Sequence, residues 1–278
     1  MAKGAAFTKT PETPESLASL PEVTRSTKRP PLSPSLAASV APTSASDTQL
    51  LPVIDALSTL LPRRGLQRGT VLRVDPGNQN ANANANGNGS GSRNGNGNGS
   101  GSGNGATTLS TALIAAATTS GSWCVTVGFA DMGIASMAET GADLEHMAMV
   151  PRPGHNWAGA VATALDGVDL VLLRLPFPAR PAMARNLTAR ARERRAVLIV
   201  LATERAWPEG PDLTIRIEQG TWSGVGEGHG YLSARRATVV AVGRRAAAKP
   251  VRCRLWLPGP AGTVVEESAS ERHPAAAR

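Results

Sequence analysis

The stretch GNGATTLSTAL, Gly103 to Leu113, runs glycine-rich chain straight into a helical pattern. Backbone N–H groups of such a loop, with the positive end of the following helix, can cradle phosphate oxygens. A loop that also supports hydrolysis adds a lysine after its last glycine, to reach the outer phosphates, and then a Ser or Thr whose hydroxyl holds magnesium. Here Gly105 is followed by Ala106, Thr107 and Thr108. A hydroxyl is in place and the ammonium is missing. The loop's first glycine is Gly77 if the intervening run splits the motif, or falls inside that run if it does not. In both cases the extra chain is ill suited to hold a fixed nest of N–H groups.

A second group of chemically able residues lies in PAMARNLTARARERR and its approach: Arg180, Arg185, Arg190, Arg192, Arg194 and Arg195, against the single acid Glu193. Such a run is either a solvated face or a surface for a protein partner or DNA. Trp157, Trp207, Trp222 and Trp256 could stack on bases or pack as ordinary core residues. His229, in GEGHGYL, has no nucleophile or acid at a recognisable spacing and reads as turn structure. GVGEGHG has no helix after it, so it lacks the context of a dinucleotide fingerprint. Cys124 and Cys253 stand far apart without Cys or His neighbours at ligand spacing, which indicates neither a metal site nor a disulfide framework.

The net charge of +8 is carried almost wholly by arginine, since the lysines are Lys3, Lys9, Lys28 and Lys249. That balance suits a polyanionic partner and equally suits a GC-rich coding bias. No apolar run has the length of a membrane span or a signal peptide, so a cytoplasmic protein with no membrane contact is expected, nucleoid-associated if DNA is touched.

These residues must be positioned by a core that begins after a Pro/Ser/Thr-rich tail, residues 1–47, whose composition predicts disorder. The segment 48–265 reads as one domain. DALSTLL gives a short helix over 55–61 and TVLRVD a strand over 70–75. The Asn/Gly/Ser run 77–105 is a flexible insertion in one loop, tolerable because closing a longer loop costs only about 0.6 kcal/mol per doubling. Then strands and helices alternate. ATTLSTALIAAATTSG is a helix, SWCVTVGF a strand, IASMAETG a helix, HMAMVP a strand and NWAGAVATALDG a helix. VDLVLLRLP is a near-continuous apolar strand, followed by the basic helix and the strand AVLIVLAT. LTIRIEQGTWSGVG, YLSARRATVVAVGR and VRCRLWLPG follow as antiparallel strands, and a polar frayed tail occupies 266–278. The fold class is α/β, with a mainly parallel central sheet extended by antiparallel C-terminal strands.

The order of these elements resembles the RecA-like P-loop core. GLQRGTVLRVDPG and GATTLSTALIAA match the strand, loop and helix of the phosphate site, TGADLEHMAMVPRPG the segment before the third strand, and GVDLVLLRLP the strand of the Walker B acid. DLTIRIEQGTWSGVGEGHGYLSARRATVVAVGR is similar to the paired strands that follow. Within that superfamily the chain most resembles the RecA-related mutasome accessory proteins of actinobacteria, the ImuA-prime type. The departures fall on the catalytic positions. Ala106 replaces the lysine, Arg174 stands where the Walker B aspartate would, and Asp131 is the nearest carboxylate to the glutamate that would polarise water. Phosphoryl transfer relies on positioning and charge stabilisation by such groups, so no enzyme activity, no bound metal and no ATP cofactor are expected. The resemblance implies a non-catalytic adaptor of the SOS response that supports assembly of an error-prone translesion synthesis complex. Its partners would be an inactive Y-family polymerase homologue and an error-prone replicative-type polymerase. The alternatives are an active nucleotide-dependent DNA-binding ATPase, in which Arg73 or Arg93 supplies the missing charge, and a RecA-related cell-division inhibitor.

Overall fold

Consecutive apolar strands cannot leave either face in water, and the fold answers with helices on both sides. The computed structural model describes residues 49–76, 105–225, 230–244 and 249–267. The expected tail 1–47, Gly77 with the rest of the insertion up to residue 104, Arg93 and His229 lie outside them.

In chain order the elements are β1 (Leu50–Leu51), α1 (Asp55–Ser58), β2 (Leu66–Gln67), β3 (Val71–Asp75), α2 (Ala106–Thr119), β4 (Cys124–Val127), α3 (Ile134–Glu139), β5 (Met147–Val150), α4 (Trp157–Gly167), β6 (Leu170–Arg174), α5 (Pro181–Arg194), β7 (Val197–Leu201), β8 (Leu213–Val225), β9 (Gly230–Gly243), β10 (Val251–Trp256) and β11 (Val265–Glu266). One large sheet has the order β11-β10-β9-β8-β3-β7-β6-β4-β5. From β8 to β5 every pairing is parallel; β9, β10 and β11 extend the sheet antiparallel. The fold is therefore α/β, with a mixed, mostly parallel sheet and antiparallel C-terminal strands.

All five residues of β7 are buried, as a parallel strand between two helical layers requires. Alternation along the strands sends Leu72, Val74, Leu172, Ile199 and Val239 to one core, shared with α2. It sends Val71, Val171, Leu173, Leu198 and Val200 to the other, shared with α4 and α5. Arg73 has the parity of Val71 and so faces away from α2.

Helix α2 lies close on the sheet because its buried face is made of small residues. Ala106, Ala112, Ala117, Ser110 and Thr118 are all fully buried. The hydroxyls of Ser110, Thr111 and Thr118 bond back to the carbonyls of Ala106, Thr107 and Ala115 at 2.8–3.0 Å, so burying them leaves no unpaired polar group. Helix α5 starts with Pro181 in its first turn and ends on Arg195 in the left-handed region, φ 56°.

Two expectations need correction. The helix expected over 55–61 stops at Ser58; the amides of Leu60 and Leu61 bond three residues back, to Leu57 and Ser58, as the chain tightens before Pro62. Glu266, expected within the polar tail, lies in β11, and Glu267 is buried with its amide on the Arg254 carbonyl at 2.9 Å. No helix among the described residues is long and apolar enough to cross a membrane.

Burial pushes the thiols of Cys124 and Cys253 up to about 12. Thiolate, the reactive form, is therefore scarce at neutral pH; both cysteines should resist iodoacetamide at about pH 8 in the folded chain and react on unfolding, read by mass spectrometry. Because α2 has no room against the sheet, Ala112→Leu should lower stability by about 1–3 kcal/mol in urea denaturation.

Candidate functional site

The carboxyl ends of parallel strands are where α/β proteins place their chemistry, and three of the residues singled out above meet there. Arg174 is the last residue of β6, and its side chain is 12% exposed. Its Nη2 donates to Thr107 Oγ1 at 3.0 Å, in the first turn of α2, and its Nη1 is paired with the Asp131 carboxylate from the loop after β4. The guanidinium also lies 4.5 Å from the centre of the Phe129 ring, a cation–π contact.

Gly128 makes this closure possible. It has φ 85°, and a Cβ there would overlap the Arg174 carbonyl oxygen. Only glycine lets the chain turn over the end of β6 and bring Phe129 and Asp131 to the guanidinium. The Gly128 amide is held by the Val150 carbonyl of β5 at 2.9 Å, so three strand ends are joined by one turn.

A magnesium ion does not fit this donor set. Two oxygens that would approach it, the Thr107 hydroxyl and the Asp131 carboxylate, already bind a fixed organic cation, and Arg174 supplies charge of the wrong sign for a metal ligand. Of the other loop residues, Ala106 offers no polar side chain, and Thr108 lies on the same first turn, partly buried.

On the other side of the α2 N-terminus stands a residue that sequence reasoning missed. Arg235, on β9, is 1% exposed and reaches Gly105, the N-cap of α2 at φ 80°. A Cβ on Gly105 would lie 2.7 Å from Arg235 Nη1. Burial pulls the guanidinium below its ordinary pKa, and its Nε and Nη1 have no hydrogen-bond partner among the described residues. The signal was present in the alternation: Ala237, Val239 and Ala241 point into the α2 core, and Arg235 has their parity.

The basic helix is partly neutralised by acids of neighbouring elements. Arg190 and Arg194 both pair with Asp166 of α4, and Arg192 lies 3.3 Å from Asp212. Arg190 holds the Asp166 carboxyl below its usual range, with Arg194 reinforcing the shift. The tie joins α5 to α4, a structural use of charges read from sequence as one surface. Arg180, Arg185 and Arg195 form no ion pair among the described residues, so the face that remains for a partner is about half the expected set. Trp157 and Trp207 are core residues. Trp222 and Trp256 carry Arg235 and Arg236 over their rings at 5.8 and 4.7 Å. A cleft of about 610 Å³ at the opposite ends of the strands is lined by Arg63, Thr70, Arg192, Asp212 and Arg244 among others; it is separate from the Arg174 cluster.

Removing the cation from the cluster leaves Asp131 and Thr107 facing each other without it. Arg174→Met should lower stability by about 1–3 kcal/mol, measured in urea, whereas Arg185→Met on the exposed helix face should stay within about 0.5 kcal/mol.

The family model described as the MT3502 N-terminal domain matches residues 89–209, a range that contains Thr107, Asp131, Arg174 and all of α5. The chain is also similar to the uncharacterized protein Rv3395c of Mycobacterium tuberculosis (strain ATCC 25618 / H37Rv). The two are 36% identical over 103 residues, which is 37% of this chain and 50% of the relative. The chain thus spans about half the length of the curated mycobacterial relative it matches.

Proposed function

We propose that the chain is a degenerate RecA-like domain acting as a non-catalytic adaptor in the response to DNA damage. It would support assembly of an error-prone translesion synthesis complex, with an inactive Y-family polymerase homologue and an error-prone replicative-type polymerase as partners. One observation carries the non-catalytic part: the Arg174 guanidinium sits between Thr107 and Asp131, where an ATPase of this type needs a magnesium ion and its waters. Electrostatic stabilisation of a transferring phosphoryl group depends on that ion, and here its place is taken by a side chain anchored to the end of a core strand.

The RecA-like reading is further supported by a strand, loop and helix unit at the centre of a parallel sheet, by Arg174, the residue that the resemblance aligns with the Walker B acid, at the end of β6, and by antiparallel strands at the carboxyl end of the described chain. The short connections from β6 to α5 and from β7 to β8 offer no room for long DNA-holding loops, which favours an adaptor over a filament-forming recombinase. The partner set rests on the resemblance, since fold does not fix function.

The test is genetic with a biochemical counterpart. Deleting the gene in its own host should lower damage-induced mutation frequency, and a full chain carrying Thr107→Ala should restore it, because the hydroxyl serves no magnesium ion. Purified protein should show no magnesium-dependent ATP turnover above background. Unchanged mutagenesis after deletion would sink the adaptor reading, and turnover abolished by Thr107→Ala would replace it with a working ATPase.

A further inference from the structure

We propose that the cleft at the amino ends of β3 and β8 is a docking site for an acidic, aliphatic segment of a partner protein, held by Arg63, Arg192 and Arg244 over a floor of leucines.

The cleft measures about 610 Å³, within the range of ligand-binding clefts. Its floor is aliphatic, made by Leu61, Leu66, Leu72 and Leu213. Its rim is basic. Arg63 comes from the turn before β2, Arg192 from the last turn of α5 and Arg244 from the chain just after β9. One acid, Asp212, lines the cleft with these three arginines, which leaves positive charge in excess.

Asp212 cannot neutralise that excess, because its oxygens are already committed. Oδ2 accepts from the Val71 amide at 2.9 Å, and Oδ1 accepts from Arg192 Nη2 at 3.3 Å. Arg63 and Arg244 form no ion pair among the described residues. Arg244 is nevertheless held in place. Its amide donates to the Asp212 carbonyl at 3.1 Å, and its guanidinium lies against Gly210, where a Cβ would overlap Nη2. A tight turn, with the Arg64 amide on the Leu61 carbonyl at 3.0 Å and Arg64 at φ 57°, places Arg63 on the rim.

A guanidinium presents a planar fork that matches a carboxylate, and three of them on separate elements suit carboxylates spaced along a chain better than one compact ion. Alternate side chains of an extended segment point to opposite faces. A sequence that alternates acids with aliphatic residues can therefore lower its aliphatic side chains onto the leucines and turn its carboxylates to the rim. Nucleic acid is the other polyanion that a basic rim attracts. It gains from faces on which bases stack, and no aromatic residue lines the cleft. Burial at the floor and charge at the rim thus favour the same occupant. That the segment belongs to another protein rests on the adaptor reading, whereas its chemistry rests on the cleft alone.

The test uses the full chain and a short fluorescein-labelled peptide of alternating glutamate and leucine, read by fluorescence anisotropy. The wild type should bind it saturably. Arg63→Gln and Arg244→Gln should each lower affinity about three- to tenfold, and the double variant should lose more. Both side chains lie outside the ion pairs of the fold, so circular dichroism and Tm should stay at wild-type values. Arg152→Gln, an exposed arginine after β5, should bind as the wild type does, which separates the cleft from the general attraction of a basic protein. Peptides with glutamine for glutamate, or serine for leucine, should both bind more weakly. No saturable binding, equal losses in Arg152→Gln, or unchanged affinity in the Arg63 and Arg244 variants overturns the site. Displacement of the peptide by a single-stranded oligonucleotide whose own binding falls in the same variants also overturns it, in favour of nucleic acid. Each of these results leaves the mutagenesis outcome untouched, so the docking site and the adaptor reading can fail separately.

Discussion

The parallel strands of this sheet are apolar on both faces, and that double burial dictates most of what surrounds them. Five residues of β7 and the first four of β6 have no exposed side chain, so each face must be covered along its full length. α4 and α5 cover one side and α2 the other. Because α2 follows β3 in the chain, its N-terminus must come down at the carboxyl edge of the sheet, beside the ends of β4 and β6. The convergence of Thr107, Asp131 and Arg174 is a consequence of that packing. Apolar burial, at about 25 cal/mol per Å², supplies the scaffold on which a small polar cluster is held.

Charge then decides what the edge can do. Where a nucleotide-hydrolysing site concentrates acids around a metal ion, this edge concentrates guanidinium groups around a helix N-terminus. Arg174 is compensated by Asp131, by the Thr107 hydroxyl and by the Phe129 ring. Arg235 has the Trp222 ring at 5.8 Å and no ion pair among the described residues. Two arginines therefore stand in different settings: Arg174 is ion-paired, whereas Arg235 is buried beside an aromatic ring. The same sorting runs through α5, where Asp166 absorbs Arg190 and Arg194 and so ties two helices together.

Element type was legible wherever one periodicity was strong. The strands around Leu170–Arg174 and Val197–Leu201 announce themselves by continuous apolar runs. The helix after Gly105 is announced by alanine, the strongest helix former. Element ends were less legible, because they are set by neighbours: α1 stops at Ser58 for the sake of a turn before Pro62, and β11 persists through Glu266 because β10 offers it a ladder. Of the site, Thr107, Asp131 and Arg174 could be named from their places at loop and strand ends. Phe129 could not, since a phenylalanine after a strand looks like ordinary packing, and the one sequence signal for Arg235 was its parity with the inward-facing Ala237, Val239 and Ala241.

The sequence by itself determined the class of fold, the strand-loop-helix unit and the residues at its ends, Ala106 after Gly105 and Arg174 at the end of β6, because these depend on local pattern and residue identity. Tertiary structure decided what those residues touch. Arg174 meets Thr107 across 67 positions of chain, and Arg235 meets Gly105 only because β9 pairs with β8 beyond the end of β3. Whether an arginine is paired or buried depends on what other elements bring within about 4 Å of it, and no local pattern carries that distance.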